Sequence, residues 1–201
     1  MKWQNDLIED IRLHTELDNQ DGPIDWDFSV DHSHPEITEC NRQALLEYFN
    51  KVKDNCKAIL EIGVCRFGPG AFTYVLLNNK KVETKYIGID IEDKRFLNDI
   101  DKNIHTIQNN SSNYEENVLS FRALGVDKFD FIFIDGDHSI NQVLRDWEYT
   151  DLLSDTGIVG FHDTSIHPGP TKFIKALNRS KWNVVENLCP KDWGIGFIWR
   201  K

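Results

Sequence analysis

Two short stretches of the chain place acids beside histidines. FDFIFIDGDHS, Phe129 to Ser139, runs an apolar segment into Asp135, Asp137 and His138, and GIVGFHD ends in His162 and Asp163. A histidine titrates at about 6.5 and serves as a general base near neutral pH when a carboxylate fixes its tautomer. His138 or His162, partnered by Asp135 or Asp163, could therefore deprotonate a hydroxyl group. The same Asp-Gly-Asp-His and His-Asp pairs would also suit a metal-dependent hydrolase. A purely structural account gives Asp137 and Asp163 to turn capping and His162 to polar packing; two such clusters at neighbouring strand ends weigh against it.

A third stretch carries a different chemistry. In EIGVCRFGPG, Glu61 closes a strand and Gly63, Gly68 and Gly70 precede a helix, the form of a loop whose bare backbone lets a nucleotide-type cofactor approach. It lacks the dinucleotide G-x-G-x-x-G spacing, since Cys65 and Arg66 follow Gly63, and a tight turn with no ligand explains it equally well. Asp90, 27 residues after Gly63 at the end of YIGID, stands at about the offset of a ribose-binding carboxylate, with helix capping as its alternative role.

These residues must be positioned by the elements around them. Short apolar runs over 58–63, 85–90, 104–108, 129–135 and 157–163 read as strands, and amphipathic segments over 70–79, 93–102, 114–124, 139–153 and near 171–179 read as helices. This alternation implies right-handed crossovers and a mostly parallel sheet. WNVVENL and WGIGFIWRK, joined by Cys-Pro-Lys-Asp, read as a closing antiparallel pair. In an open sheet of this kind ligands bind beyond the carboxyl ends of the strands, where all the polar turns named above would converge. Upstream, 4–17 reads as a short amphipathic helix. Residues 17–35 read as a turn-rich loop or lid, and Ser33 to Glu36 resemble a capping box that opens a helix through Val52. His32 and His34 in that loop, and His167 in SIHPGP, are candidates to border an acceptor, although each is equally placed to be a plain loop or turn residue.

The chain of 201 residues carries a formal net charge of −10. Eleven acids crowd residues 1–40 against two basic residues, while 171–201 hold seven basic residues against two acids. Without a basic stripe, the balance argues against duplex nucleic acid as a partner. Cys40, Cys56, Cys65 and Cys189 show neither CxxC nor metal-site spacing and read as scattered thiols of a reducing compartment. With no long apolar run or signal-like start, the expectation is a cytoplasmic protein with no membrane partner, and homo-oligomerisation is left open. Length and the lack of a linker indicate a single domain over 1–201, with an N-terminal helical or lid segment (1–56) and a core (57–201).

Taken in order, Glu-Ile-Gly, the acid ending the second strand, IQNNSS, FDFIFIDGDHS and LLSDTGIVGFHDTS resemble the class I S-adenosylmethionine (SAM)-dependent methyltransferases. The likeness is to the small branch with DGDH and HD strand ends, similar to metal-assisted O-methyltransferases. It covers residues 57–165 well and the closing hairpin by pattern alone. The resemblance implies an α/β fold, a Rossmann-like three-layer sandwich whose mostly parallel seven-stranded sheet has an antiparallel C-terminal strand. It implies that Glu61 and Gly63 flank the methionine part of SAM, that Asp90 accepts the ribose hydroxyls and that Ile91 packs on adenine. Asn110 and Ser111, standing where the family usually has Gly-Asp-Ser, border the adenine, and Asp135 also borders the cofactor. It further implies a divalent ion, Mg²⁺ or Mn²⁺, on Asp135, His162 and Asp163, with His162 replacing the usual acid, and a small hydroxylated acceptor such as a sugar, glycoside or polyol. The rival readings are the hydrolase and a non-catalytic domain that keeps the cofactor pocket.

Overall fold

The computed structural model describes residues 5–9, 11–13, 38–64 and 71–201. The acidic loop with His32, His34 and the Ser33 capping box lies outside them, as do Arg66, Gly68 and Gly70 of the glycine-rich loop.

Strands β1 (Ala58–Ile62), β2 (Lys85–Asp90), β3 (Ile104–Gln108), β4 (Phe129–Ile134), β5 (Leu153–His162), β6 (Trp182–Val185) and β7 (Ile195–Arg200) form one sheet in the order β3-β2-β1-β4-β5-β7-β6. Strands β1 to β5 pair in parallel, and β7 runs antiparallel to both β5 and β6. This is the Rossmann-like sheet with an antiparallel closing strand that the strand spacing and the resemblance anticipated. The middle of the sheet is covered on both faces, which is why AILEI and FDFIFI are nearly continuous apolar runs. One face packs Val118, Phe121, Val143, Leu144, Trp147 and Phe173 against Leu60, Ile132 and Phe161. The other packs Leu45, Phe49, Phe72 and Leu76 against Ile59, Phe131, Phe133 and Phe197. The helices that supply these layers are α1 (Glu39–Val52), α2 (Phe72–Asn79), α3 (Tyr114–Ala123), α4 (Ile140–Trp147) and α5 (Pro168–Ala176).

Several local expectations are corrected. Of the stretch 4–17, the described residues 5–9 and 11–13 are not α-helical: Leu7 makes an antiparallel bridge to Leu177, and Ile11–Leu13 is a 3-10 turn. The amide of Ile8 donates to the Ala176 carbonyl (2.8 Å) and that of Asn178 to the Asp6 carbonyl (2.7 Å), so this segment spends its backbone on the end of α5 while Leu7 and Ile11 plug the core. The stretch 93–102 gives two 3-10 turns, Arg95–Leu97 and Ile100–Lys102. The carboxylates of Asp90 and Asp93 accept from the amides two residues on, diverting the chain from a helix, and an Asp99–Ile104 bridge folds it back into β3. Helix α4 ends at Trp147 and continues as a 3-10 segment to Leu152. Strand β5 starts at Leu153, earlier than expected, with a register shift opposite Phe129/Phe131. Helix α5 begins at Pro168, in keeping with proline's preference for a first helical turn, and ends at Ala176. The cap of α1 is Thr38, whose hydroxyl accepts from Asn41 N at 3.3 Å.

The cysteines are corrected as well. Cys40 and Cys189 form a disulfide joining the first turn of α1 to the β6–β7 loop, and Cys56 is buried and free. The cysteine pattern therefore gives no support to a reducing compartment. Beside the disulfide the Thr38 hydroxyl donates to the Asp192 carboxylate. Among the described residues no helix is long and apolar enough to cross a membrane.

Candidate active site

The strand order reverses between β1 and β4, and ligands of open α/β sheets sit beyond the carboxyl ends at such a point. There the Asp135 amide donates to the Ile62 carbonyl (2.8 Å) and the Gly63 amide to the Ile89 carbonyl (3.0 Å), so the ends of β1, β2 and β4 form one rim. Gly63 has φ +83°, and a Cβ there would stand 2.1 Å from the Asp135 carbonyl oxygen. Only glycine permits both the turn and this approach.

Glu61, Asp90 and Asp135 share this rim but not one environment. Glu61 is fully buried, accepts from Thr73 Oγ1 (2.9 Å) and is bonded by the Tyr86 hydroxyl. Burial pushes its pKa up to about 8 against the pull of those two donors. Asp90 is half-buried; its Oδ2 accepts from Val64 N (2.8 Å) and its Oδ1 from Glu92 N (2.7 Å), so it fixes the start of the glycine-rich turn. Ile91 is 71% exposed beside it. In the third-strand turn, Asn110 Oδ1 accepts from Ser112 N (2.8 Å), and Ser111 Oγ accepts from Gln142 Nε2 (2.8 Å). Gln142 also donates to the buried carboxylate of Asp146 (2.8 Å), whose pKa burial raises to about 7. This network ties the turn to α4.

The acids and histidines of β4 and β5 meet at the same edge. His162 Nδ1 stands 2.9 Å from Asp135 Oδ1 and 3.2 Å from Asp163 Oδ2, with its ring edge-on to Phe72 at 4.7 Å. Burial alone would lower the His162 pKa; the carboxylates of Asp163 and Asp135 outweigh it and hold the ring well above its ordinary value. Burial tends to raise Asp163, but the His162 and His138 charges dominate and keep it well below the usual carboxylate range. Asp135 goes the other way, raised by burial in spite of His162. Asp163 itself adopts φ +59°, a left-handed conformation that turns its side chain back toward the cluster.

Asp135, His162 and Asp163 offer three donor atoms within 4.8 Å of one another. Neighbouring ligands on an octahedral ion with bonds of about 2.1 Å lie about 3 Å apart, close to the two spacings around His162 Nδ1. The opposite nitrogen of that ring, Nε2, is buried with no hydrogen-bond partner.

His138, 21% exposed in its side chain, brings Nε2 to 2.6 Å from Asp163 Oδ2 and stacks its ring on His167 at 3.9 Å. Asp137 is exposed and caps the turn by accepting from Ser139 N (2.8 Å), a structural role. The sequence thus brings Asp135, His138, His162 and Asp163 together and leaves Asp137 outside. Phe72, Tyr86, Thr73, Gln142 and Asp146 carried no signal on their own, except that Asp146 is an acid on the apolar face of α4 between Val143 and Trp147.

The comparisons agree with this architecture. The family described as Methyltransferase domain matches residues 60–164, just over half of the chain. No curated protein matches the sequence. Among solved structures, the chain is similar to the MycE methyltransferase of the mycinamycin biosynthetic pathway in complex with Mg, S-adenosylhomocysteine (SAH) and mycinamycin VI. The identity is 17% and the TM-score 0.58 over 79% of this chain and 48% of that one, so the chain spans about half the length of MycE. It is also similar to SMU.1697c of Streptococcus mutans, a candidate methyltransferase solved with SAH (14% identity, TM-score 0.50, 77% of this chain and 93% of that one). A third similar structure is a candidate rRNA-methylase from Clostridium thermocellum (16% identity, TM-score 0.54, 82% and 99%). The chain belongs to the Methyltransferase domain family and has the Rossmann-like fold of the SAM-dependent class I methyltransferases.

Proposed function

We propose that this chain moves the methyl group of SAM to a hydroxyl oxygen of a small acceptor, a sugar, glycoside or other polyol, with a divalent cation at the acceptor side. The observation that carries this reading is the Asp135–His162–Asp163 cluster at the ends of β4 and β5, one strand from the rim formed by Gly63 and Asp90. The similar MycE structure holds both Mg and SAH, which supports a cation beside the donor pocket.

In this reading Asp90 faces the ribose hydroxyls, Ile91 and the Asn110–Ser111 turn border the adenine, and Gly63 leaves room for the methionine part. Glu61, turned toward Tyr86 and Thr73, supports the strand end from behind. Asp135, His162 and Asp163 would hold Mg²⁺ or Mn²⁺, which when bound lowers the pKa of an acceptor hydroxyl and orients its oxygen. His138 is the better placed base: its side chain reaches the surface, whereas His162 is buried between Asp135 and Asp163. Asp163 beside Nε2 favours the tautomer protonated there and leaves Nδ1 to accept. The proton passes to His138 as the oxygen–carbon bond forms and the carbon–sulfur bond breaks, releasing SAH and the methyl ether. Alignment supplies most of the remaining acceleration.

The test is thermal unfolding with SAH, with and without Mg²⁺. Stabilisation of about 2.7 kcal/mol at 100 times Kd is expected for the wild-type chain and loss of it for Asp90→Ala. No shift with wild type would remove the cofactor, and with it the reading.

A further inference from the structure

Asp163 takes part in a second constellation, one whose third member, His167, methyl transfer does not use. His138, Asp163 and His167 also present three donor atoms within 4.8 Å of one another. His138 Nε2 is buried and only 2.6 Å from Asp163 Oδ2, yet it makes no aligned hydrogen bond there.

The backbone builds this arrangement. The His167 amide donates to the Asp163 carbonyl (3.2 Å), and the Gly169 amide donates to the His138 carbonyl (3.1 Å). A Cβ on residue 169 would stand 2.0 Å from that carbonyl oxygen, so glycine is what lets the start of α5 lie on the β4–α4 turn. His167, 8% exposed, is thereby held with its ring against His138 and its other face toward Trp193, 6.5 Å away and nearly parallel. Ligand atoms of a tetrahedral ion with bonds of about 2.0 Å stand about 3.3 Å apart, inside the 4.8 Å within which these three donor atoms already lie.

The two constellations differ in chemistry. Asp135, His162 and Asp163 give two carboxylates and one imidazole, a set that accepts oxygen-preferring ions. His138, His167 and Asp163 give two imidazoles and one carboxylate, the three-ligand set of open zinc sites and one that Mg²⁺ does not favour. We infer that His138, Asp163 and His167 form a second cation site, selective for Zn²⁺ and similar imidazole-binding ions. Filling this site takes His138 out of proton acceptance and so inhibits turnover. The binding half stands on the chain alone; the inhibitory half rests on the methyl-transfer reading.

The experiment titrates Zn²⁺ into the chelator-stripped full chain in a large excess of Mg²⁺, followed by calorimetry and by imidazole nitrogen NMR of histidine-labelled protein. The expected result is one retained equivalent of Zn²⁺ with shifts at His138 and His167. His167→Ala should lose at least about 10-fold in affinity, and His162→Asn should keep it. If His167→Ala does not fold, judged by its unfolding midpoint in chelator, His167→Gln carries the same comparison. Unchanged zinc affinity in the His167 variant, or a response confined to His162, overturns the site. Zinc binding as described without inhibition of Mg²⁺-supported turnover overturns the inhibitory half. Loss of SAH stabilisation with zinc binding intact counts against methyl transfer alone.

Discussion

His162 and Asp135, 27 residues apart in sequence, meet at 2.9 Å because β4 and β5 run parallel and in register, Ile134 opposite Phe161. Sheet pairing, rather than any local motif, makes the pair. Replacing Asp135 by Ala removes one side of the cation set while leaving the Asp90 and Gly63 rim intact. Turnover with Mg²⁺ should fall about 100-fold or more, and SAH should still stabilise the variant. Initial rates and unfolding curves in parallel would separate the two effects, and an unchanged rate would end the metal role.

His138 as base makes a different claim. His138→Gln should lower kcat by about 100-fold to 10,000-fold with little change in KM for SAM, and should remove the ionisation on the acidic limb of the pH–rate profile. Retention of that limb in the variant would move the base to another group.

Gly63 is under two constraints at once, a positive φ and the Asp135 carbonyl at 2.1 Å from any added Cβ. Gly63→Ala should cost more than about 2 kcal/mol of stability and weaken SAH binding, measured by urea unfolding with and without ligand. Gly125, also at positive φ but 3.7 Å from its nearest contact, Lys85 Nζ, is the control: alanine there meets strain without collision.

Asp146 gives a pH signature. Burial raises its pKa from an ordinary 3.8 to about 7, with Ser111 and Gln142 as bonded neighbours and Asp137 as the nearby charge. The folded state therefore holds a proton that the unfolded chain has released between these values. Its contribution to stability is complete below about 4, falls by up to about 1.4 kcal/mol per pH unit through that window, and is exhausted above about 7. Asp146→Asn, still able to accept from Gln142, should flatten this slope and narrow its gap to wild type as pH rises from about 4 to about 7. Denaturant midpoints at pH 4.5, 6 and 8 would show it.

The Cys40–Cys189 bond closes a long loop, with a sequence separation of 149. Cys40→Ser should cost about 2 to 4 kcal/mol, and reduction of the wild type should produce the same loss. Mass analysis of alkylated protein with and without reductant reads the pairing directly.

The sheet was legible because its strands are short, fully buried and separated by turn formers, so their periodicity reports directly on their surroundings. The acids and histidines were legible because strand ends are where a parallel sheet delivers side chains. What was not legible depends on contacts between distant segments. The helix expected over 4–17 gave way because residues 6 to 8 found backbone partners at the end of α5, and the one over 93–102 gave way because two aspartates captured amides locally. Cys40 and Cys189 lack any sequence spacing that reveals a partner, and His167 needed Gly169 against His138 before its proximity became meaningful.

The contact of Gly169 with the His138 carbonyl has a consequence for how the chain tolerates change in length. Asp163 to Gly169 is a connection fastened at both ends, by β5 to the sheet and by α5 to the neighbouring turn. Adding or deleting a single residue there would unseat α5 from its anchor. A library of insertions should spare the outer hairpin turns and be rejected across these seven positions.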